Sequence, residues 1–121
     1  MNRVNHLYLI AASVFLLFTS CSSNEIGSSK DVNPESIYFD YRVWGDEESA
    51  DINVKLQYRF AGPNGTTLLL ENPSKVELDG VAIKADSSKM NGAYYEVSKP
   101  LKSFSGKHTI VFTDINGNQY S

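Results

Sequence analysis

Two hydrophobic patterns divide this chain. Leu7 to Phe18 is a continuous, mostly apolar run, whereas from Ser36 onward apolar residues recur at every second position. A period of two marks strands with one face in a core and one in water. Ile37, Phe39, Tyr41 and Val43 share one face of the first such segment, and Tyr38, Asp40, Arg42 and Trp44 the other. Next, Ile52, Val54, Leu56, Tyr58 and Phe60 alternate with Asp51, Asn53, Lys55, Gln57 and Arg59. Gly62-Pro63-Asn64-Gly65 is a turn cluster. Thr67 to Glu71 shows no alternation and is expected to be a short strand covered on both sides, ended by Asn72-Pro73-Ser74. Val76 to Leu78 and Val81 to Ile83 flank Asp79-Gly80, a pair that accepts the positive φ angles of a type I′ hairpin turn. Asp86 to Gly92 reads as a polar loop, and Ala93 to Val97 as a strand ending near Lys99-Pro100, because proline cannot donate to a ladder. After a second loop around Gly106, His108 to Asp114 forms the last full strand, and Asn116-Gly117 a second hairpin turn.

No segment beyond the leader carries apolar residues at helical spacing between capping residues. The pattern therefore predicts an all-β domain over residues 34–121. At this length an immunoglobulin-like antiparallel β-sandwich of about seven strands is the expected form.

The leader is too short to span a bilayer. Its dozen or so residues reach roughly 18 Å as a helix, against about 30 Å of hydrocarbon. Arg3 precedes it, and small polar residues follow, Thr19-Ser20-Cys21-Ser22-Ser23, which is the layout of a signal peptide and its processing site. Cys21 is the single cysteine of the chain. A secreted protein with a free thiol and an uncleaved anchor are the alternatives. On any of these readings the domain has no internal disulfide and folds on its core alone.

Phe18-Thr19-Ser20-Cys21 resembles the lipobox of bacterial lipoproteins, with Phe18 where an aliphatic residue is commonest. The resemblance implies that residues 1–20 are a signal peptide, that Cys21 is lipidated, and that residues 21–33 form a flexible tether. Two or more acyl chains give firm membrane attachment. Together with Gly106 to Tyr120, a strand rising from a glycine loop and closing in Thr-Asp-Ile-Asn-Gly-Asn, the whole chain resembles small lipoproteins of diderm bacteria that carry one immunoglobulin-like domain. The disulfide and core-tryptophan spacing of antibody domains are absent, so the likeness is one of architecture. Ser22 stands where aspartate signals inner-membrane retention in some lipoprotein sorting systems, which points to the outer membrane.

Charge and chemistry narrow the remaining classes. Losing residues 1–20 removes Arg3 and no acid, moving the formal charge from -3 to -4. Nucleic-acid binding calls for clustered Lys and Arg instead. His108 is the one histidine after the leader, at the start of a strand, and no second histidine, free thiol or Gly-x-Ser-x-Gly elbow accompanies it. Asp46, Glu47, Glu48 and Asp51 lie in one loop, where a solvated acidic turn fits better than the opposed carboxylates of a glycosidase. Asp114, Asn116 and Asn118 begin like a calcium loop, but Gln119 replaces the turn glycine and no acid follows, so a hairpin turn is expected. Asn64-Gly65-Thr66 matches a glycosylation sequon, which a bacterial lipoprotein does not require. No cofactor is implied, and the chain is not expected to be an enzyme.

Recognition falls to aromatic residues. Tyr38, Arg42 and Trp44 align on the polar face of the first strand, with Tyr94 a candidate neighbour, a composition suited to a sugar or a peptide. After Asn116-Gly117 only Asn118-Gln-Tyr-Ser121 is left to pair with the last full strand, so an incomplete edge beside Thr109 to Thr113 is expected; a final strand that is merely short, or a chain cut off relative to a longer relative, is favoured over an edge that accepts a strand and self-associates. The sequence thus leads to a lipid-anchored interaction or structural module without catalysis, whose partners are the membrane through Cys21 and another envelope protein or a glycan. A carbohydrate-binding module around Trp44 is the alternative.

Overall fold

A computed structural model describes residues 25–88 and 90–121. The leader and Cys21 lie outside the described residues. The described chain is an all-β sandwich of two sheets, as the alternation predicts. Its strands are β1 (Ile26–Ser28), β2 (Ile37–Asp46), β3 (Asp51–Phe60), β4 (Thr67–Leu69), β5 (Lys75–Leu78), β6 (Val81–Ala82), β7 (Ala85–Ser88), β8 (Gly92–Pro100), β9 (Ile110–Thr113) and β10 (Gln119–Tyr120).

The larger sheet is built on β3. One edge of β3 pairs with all of β2, from Ile37 opposite Phe60 to Asp46 opposite Asp51. Its other edge pairs with β8 from Asp51 to Leu56 and with β4 at Arg59. Beyond these lie β7 and β1 respectively. The smaller sheet runs β10, β9, β5, β6. Between the sheets, Val54, Leu56 and Tyr58 of β3, Leu68, Val76, Tyr95 and Phe112 form the buried core. Val54, Leu56 and Tyr58 alternate as an inward face requires. Tyr58 and Phe112 stack at 4.7 Å between ring centres, and Tyr95 meets Tyr58 edge-on at 6.1 Å.

The hairpin at Asp79-Gly80 forms as expected, with φ of 51° and 84° at the two turn residues. Two expectations change. Ile26 to Ser28, assigned to the flexible tether, pairs parallel with β4, and Ser29 behind it is buried and accepts from the Glu71 amide at 2.9 Å. The non-alternating Thr67-Leu68 supplies the covered strand that makes this addition possible. The polar stretch from Asp86, expected as a loop, is instead mostly strand, because Ala85 to Ser88 pair with Tyr95 to Gly92. An edge strand with solvent on both faces has no alternation to betray it. β8 ends at Pro100, opposite Asp51, where the proline is expected to end it.

Gly92 sits where this hairpin returns. Its φ is 69°, and a Cβ there would lie 2.1 Å from Thr67 Oγ1, the atom that accepts the Ala93 amide at 2.9 Å. Glycine alone allows that approach.

Candidate functional site

The feature with most capacity for recognition is β2. Its ten residues include no lysine or proline, and six are aromatic or β-branched, types that suit a pleated surface. It pairs with β3 on one side and, among the described residues, with no strand on the other. A free edge of this length presents unpaired N–H and C=O groups at alternate positions.

The inward face of β2 is only partly covered. Phe39 packs edge-on against Tyr58 at 5.4 Å, Phe112 at 5.0 Å and Tyr120 at 6.3 Å between ring centres. Beyond it the smaller sheet offers little, since β10 is only Gln119 and Tyr120. Cover therefore thins along the strand, and Val43 is 58% exposed. Tyr41 stacks on Phe39 and shares a 2.9 Å hydrogen bond between its hydroxyl and that of Tyr58. Burial raises both phenols above their ordinary range. For Tyr58 the nearby Tyr41 adds to the rise, whereas for Tyr41 the hydrogen bond from Tyr58 offsets part of it.

On the outward face, Tyr38, Arg42 and Trp44 lie on one side of one strand, as the alternation placed them. Tyr38 is 41% and Trp44 43% exposed. Between them Asp40 accepts from Arg42 Nε and from Arg59 Nε, each at 3.4 Å, and Arg59 also reaches the Gly65 carbonyl and Gln57 Oε1. Tyr94 does not join this row. It belongs to β8, on the far side of β3, where Lys55 Nζ lies 5.0 Å over its ring. Its pKa is raised first by burial and then by Asp86 and Glu96. A shallow depression of about 430 Å³ lies beside Tyr38, lined also by Glu35, Ser36, Ile37, Ala61 and Gly62.

His108 is tied down more closely than a lone edge residue. Its Nδ1 lies 2.7 Å from Asp79 Oδ2, Thr109 donates its amide to Asp79 Oδ1 at 2.8 Å, and Phe104 stacks on the imidazole at 3.7 Å. The His108 hydrogen bond first, then the Thr109 amide, hold the Asp79 carboxyl below the usual range. This pair straps the β5–β6 turn to the start of β9. The imidazole's Nε2 is buried and, among the described residues, has no hydrogen-bond partner. Sequence reasoning missed the strap because its members are 29 positions apart.

Asp114 spends both carboxylate oxygens inside its own turn. Oδ1 accepts the amides of Asn116 and Asn118, each at 2.9 Å, and Oδ2 accepts the Tyr120 hydroxyl at 2.9 Å. Burial raises its pKa, but the bonds from Asn118, Tyr120 and Asn116 outweigh that and hold it below the usual range. This is the hairpin turn expected from the sequence. Glu47 and Glu48 of the acidic loop are exposed, and among the described residues no three His, Cys, Asp or Glu side chains gather as a metal site.

A small cavity of about 210 Å³ opens between the β5–β6 hairpin and β8, floored by Leu78, Val81, Ile83 and Val97 and rimmed by Lys84, Glu96 and Lys99. It is below the size usual for small-molecule sites. Among the described residues no helix is long and apolar enough to cross a membrane. No family model, curated protein or solved structure matches the chain.

Proposed function

We propose that this protein is a non-catalytic interaction module of the bacterial cell envelope, held on the outer membrane by lipid on Cys21 and making its contacts through β2. The observation that carries the reading is a ten-residue edge strand with exposed apolar side chains on both faces. Soluble domains normally shorten, charge or cover such edges. The other outermost strands, β1, β6, β7 and β10, have two to four residues each, and β2 is the exception. Support for the anchor is the apolar run ending in Phe18-Thr-Ser-Cys21.

The test uses the full chain, purified in mild detergent beside a Val43→Lys variant. Envelope partners retained by the first and lost by the second are expected, because a lysine in mid-strand obstructs strand addition. Equal recovery from both would remove β2 from the reading.

Carbohydrate binding is the second reading. It is favoured by exposed Tyr38 and Trp44 on one face and by the open depression beside Tyr38. Unchanged glycan-array and cell-wall pull-down signals after Trp44→Ala and Tyr38→Ala would end it.

A further inference from the structure

We propose that the partner of β2 is β2 of a second copy, paired antiparallel about a two-fold axis through Tyr41. This rests on the reading of β2 as the contact strand and adds its occupant and register.

Antiparallel pairing across a free edge joins only residues whose backbone groups both point outward or both inward. Permitted symmetric registers are therefore those centred on a residue, and moving the centre by one residue changes every pair. With the centre at Tyr41, Asp40 stands opposite Arg42 of the second copy, and Arg42 opposite its Asp40. Tyr38 stands opposite Trp44, and Phe39 opposite Val43. Centring on Asp40 sets two carboxylates face to face, and centring on Arg42 sets two guanidinium groups face to face. Directly opposed like charges destabilise a strand pair, whereas opposite charges and aromatic pairs stabilise it. The segment Tyr38 to Trp44 is thus self-complementary in one register and self-repelling in the two beside it.

The geometry of the rest of the fold agrees. Arg42 has a side chain 67% exposed and holds Asp40 through a single 3.4 Å contact, so it is free to reach across the axis while Arg59 retains Asp40 from within. On the inward side of β2, Phe39, Tyr41 and Val43 stay partly exposed despite the contacts of Phe39 with the smaller sheet, and these are the residues the axis brings together. An isologous contact of this type closes on itself, with each copy contributing the same patch. It uses up the long edge, where a heterologous addition would leave one free. β9 has an incomplete edge too, as expected: β5 fills one side, and on the other β10 pairs only with Phe112 and Thr113, leaving Ile110 and Val111, a far shorter opening than the ten residues of β2.

The test uses the full chain in detergent micelles. Sedimentation should show a concentration-dependent dimer, and Arg42→Glu, at an exposed position, should weaken it at least tenfold by placing acids opposite both Asp40 side chains. Register is read by oxidative crosslinking in a Cys21→Ser background. Tyr41→Cys should crosslink with itself, since opposed Cα atoms in such pairs lie about 4.5–5.5 Å apart, within disulfide reach. Phe39→Cys and Val43→Cys should crosslink when mixed but not alone, which also covers the case of a Tyr41 variant that folds poorly. A chain monomeric at every concentration, whose β2 variants still lose envelope partners, would overturn self-pairing and leave β2 as a contact for another protein. A monomer indifferent to β2 variants in both assays would overturn both readings.

Discussion

Replacing Asp114 by asparagine tests whether its carboxylate, and not merely an acceptor of that shape, holds the last hairpin together. The residue is 1% exposed and accepts three hydrogen bonds, two of them from the backbone amides of Asn116 and Asn118. Asparagine keeps a carbonyl oxygen for the amides and loses the charge. A bond to a charged acceptor contributes about 1.5–3 kcal/mol against about 0.5–1.5 kcal/mol for a neutral one, so three bonds lose roughly 3 kcal/mol, of which part is offset because no carboxylate need be taken out of water. A net loss of about 2 kcal/mol at pH 7 is expected. Its pH dependence follows from the direction of the shift. The carboxyl titrates below its ordinary 3.8 in the folded chain, so its contribution is complete above that value and is lost as pH falls through the folded pKa. Urea denaturation of both proteins at pH 7, 5, 4 and 3 should show the difference shrinking at the acid end, with Asp79 contributing equally to each. A difference that stays constant down to pH 3, or is absent at pH 7, would refute the role of the charge.

The tyrosine pair should respond asymmetrically. Tyr41→Phe leaves the fully buried Tyr58 hydroxyl without its partner and should cost about 1–3 kcal/mol, whereas Tyr58→Phe leaves the Tyr41 hydroxyl near water and should cost about 1 kcal/mol or less, as thermal melts will show. Gly92→Ala should destabilise by at least about 2 kcal/mol in the same assay, since it combines a positive φ with a collision against Thr67 Oγ1. Cys21→Ser should abolish labelling by a lipid precursor and release the protein from the membrane fraction; a variant that stays bound would remove the lipid anchor.

How far the chain discloses itself depends on which interactions carry each part. Alternation in Ile37 to Val43 and Ile52 to Tyr58 is a direct consequence of a core on one side, so both strands and their facing were legible, as was the Asp79-Gly80 turn. Ser87 and Ser88 have solvent on the faces that would have shown a pattern, and their strand exists only because β8 lies alongside. Ile26 to Ser28 likewise depends on a distant partner, with Ser28 hydrogen-bonded to Glu71. For the candidate site, the shared face of Tyr38, Arg42 and Trp44 followed from period two. That β2 is an edge did not, because strand order is set by pairings across dozens of residues. The short opening at β9 was legible, because so few residues follow Asn116-Gly117 that β10 reaches only Phe112 and Thr113.

Hydrogen exchange along 37–46 addresses the central claim most directly. The amides of β2 that face away from β3 should exchange rapidly in the purified chain at high dilution in detergent. In envelope membranes, where its contact strand is engaged, the same alternate positions should be slowed at least tenfold while those already bonded to β3 change little. Rapid exchange at those positions in both settings would show that the edge is left open, and β2 would no longer stand as the surface through which this protein acts.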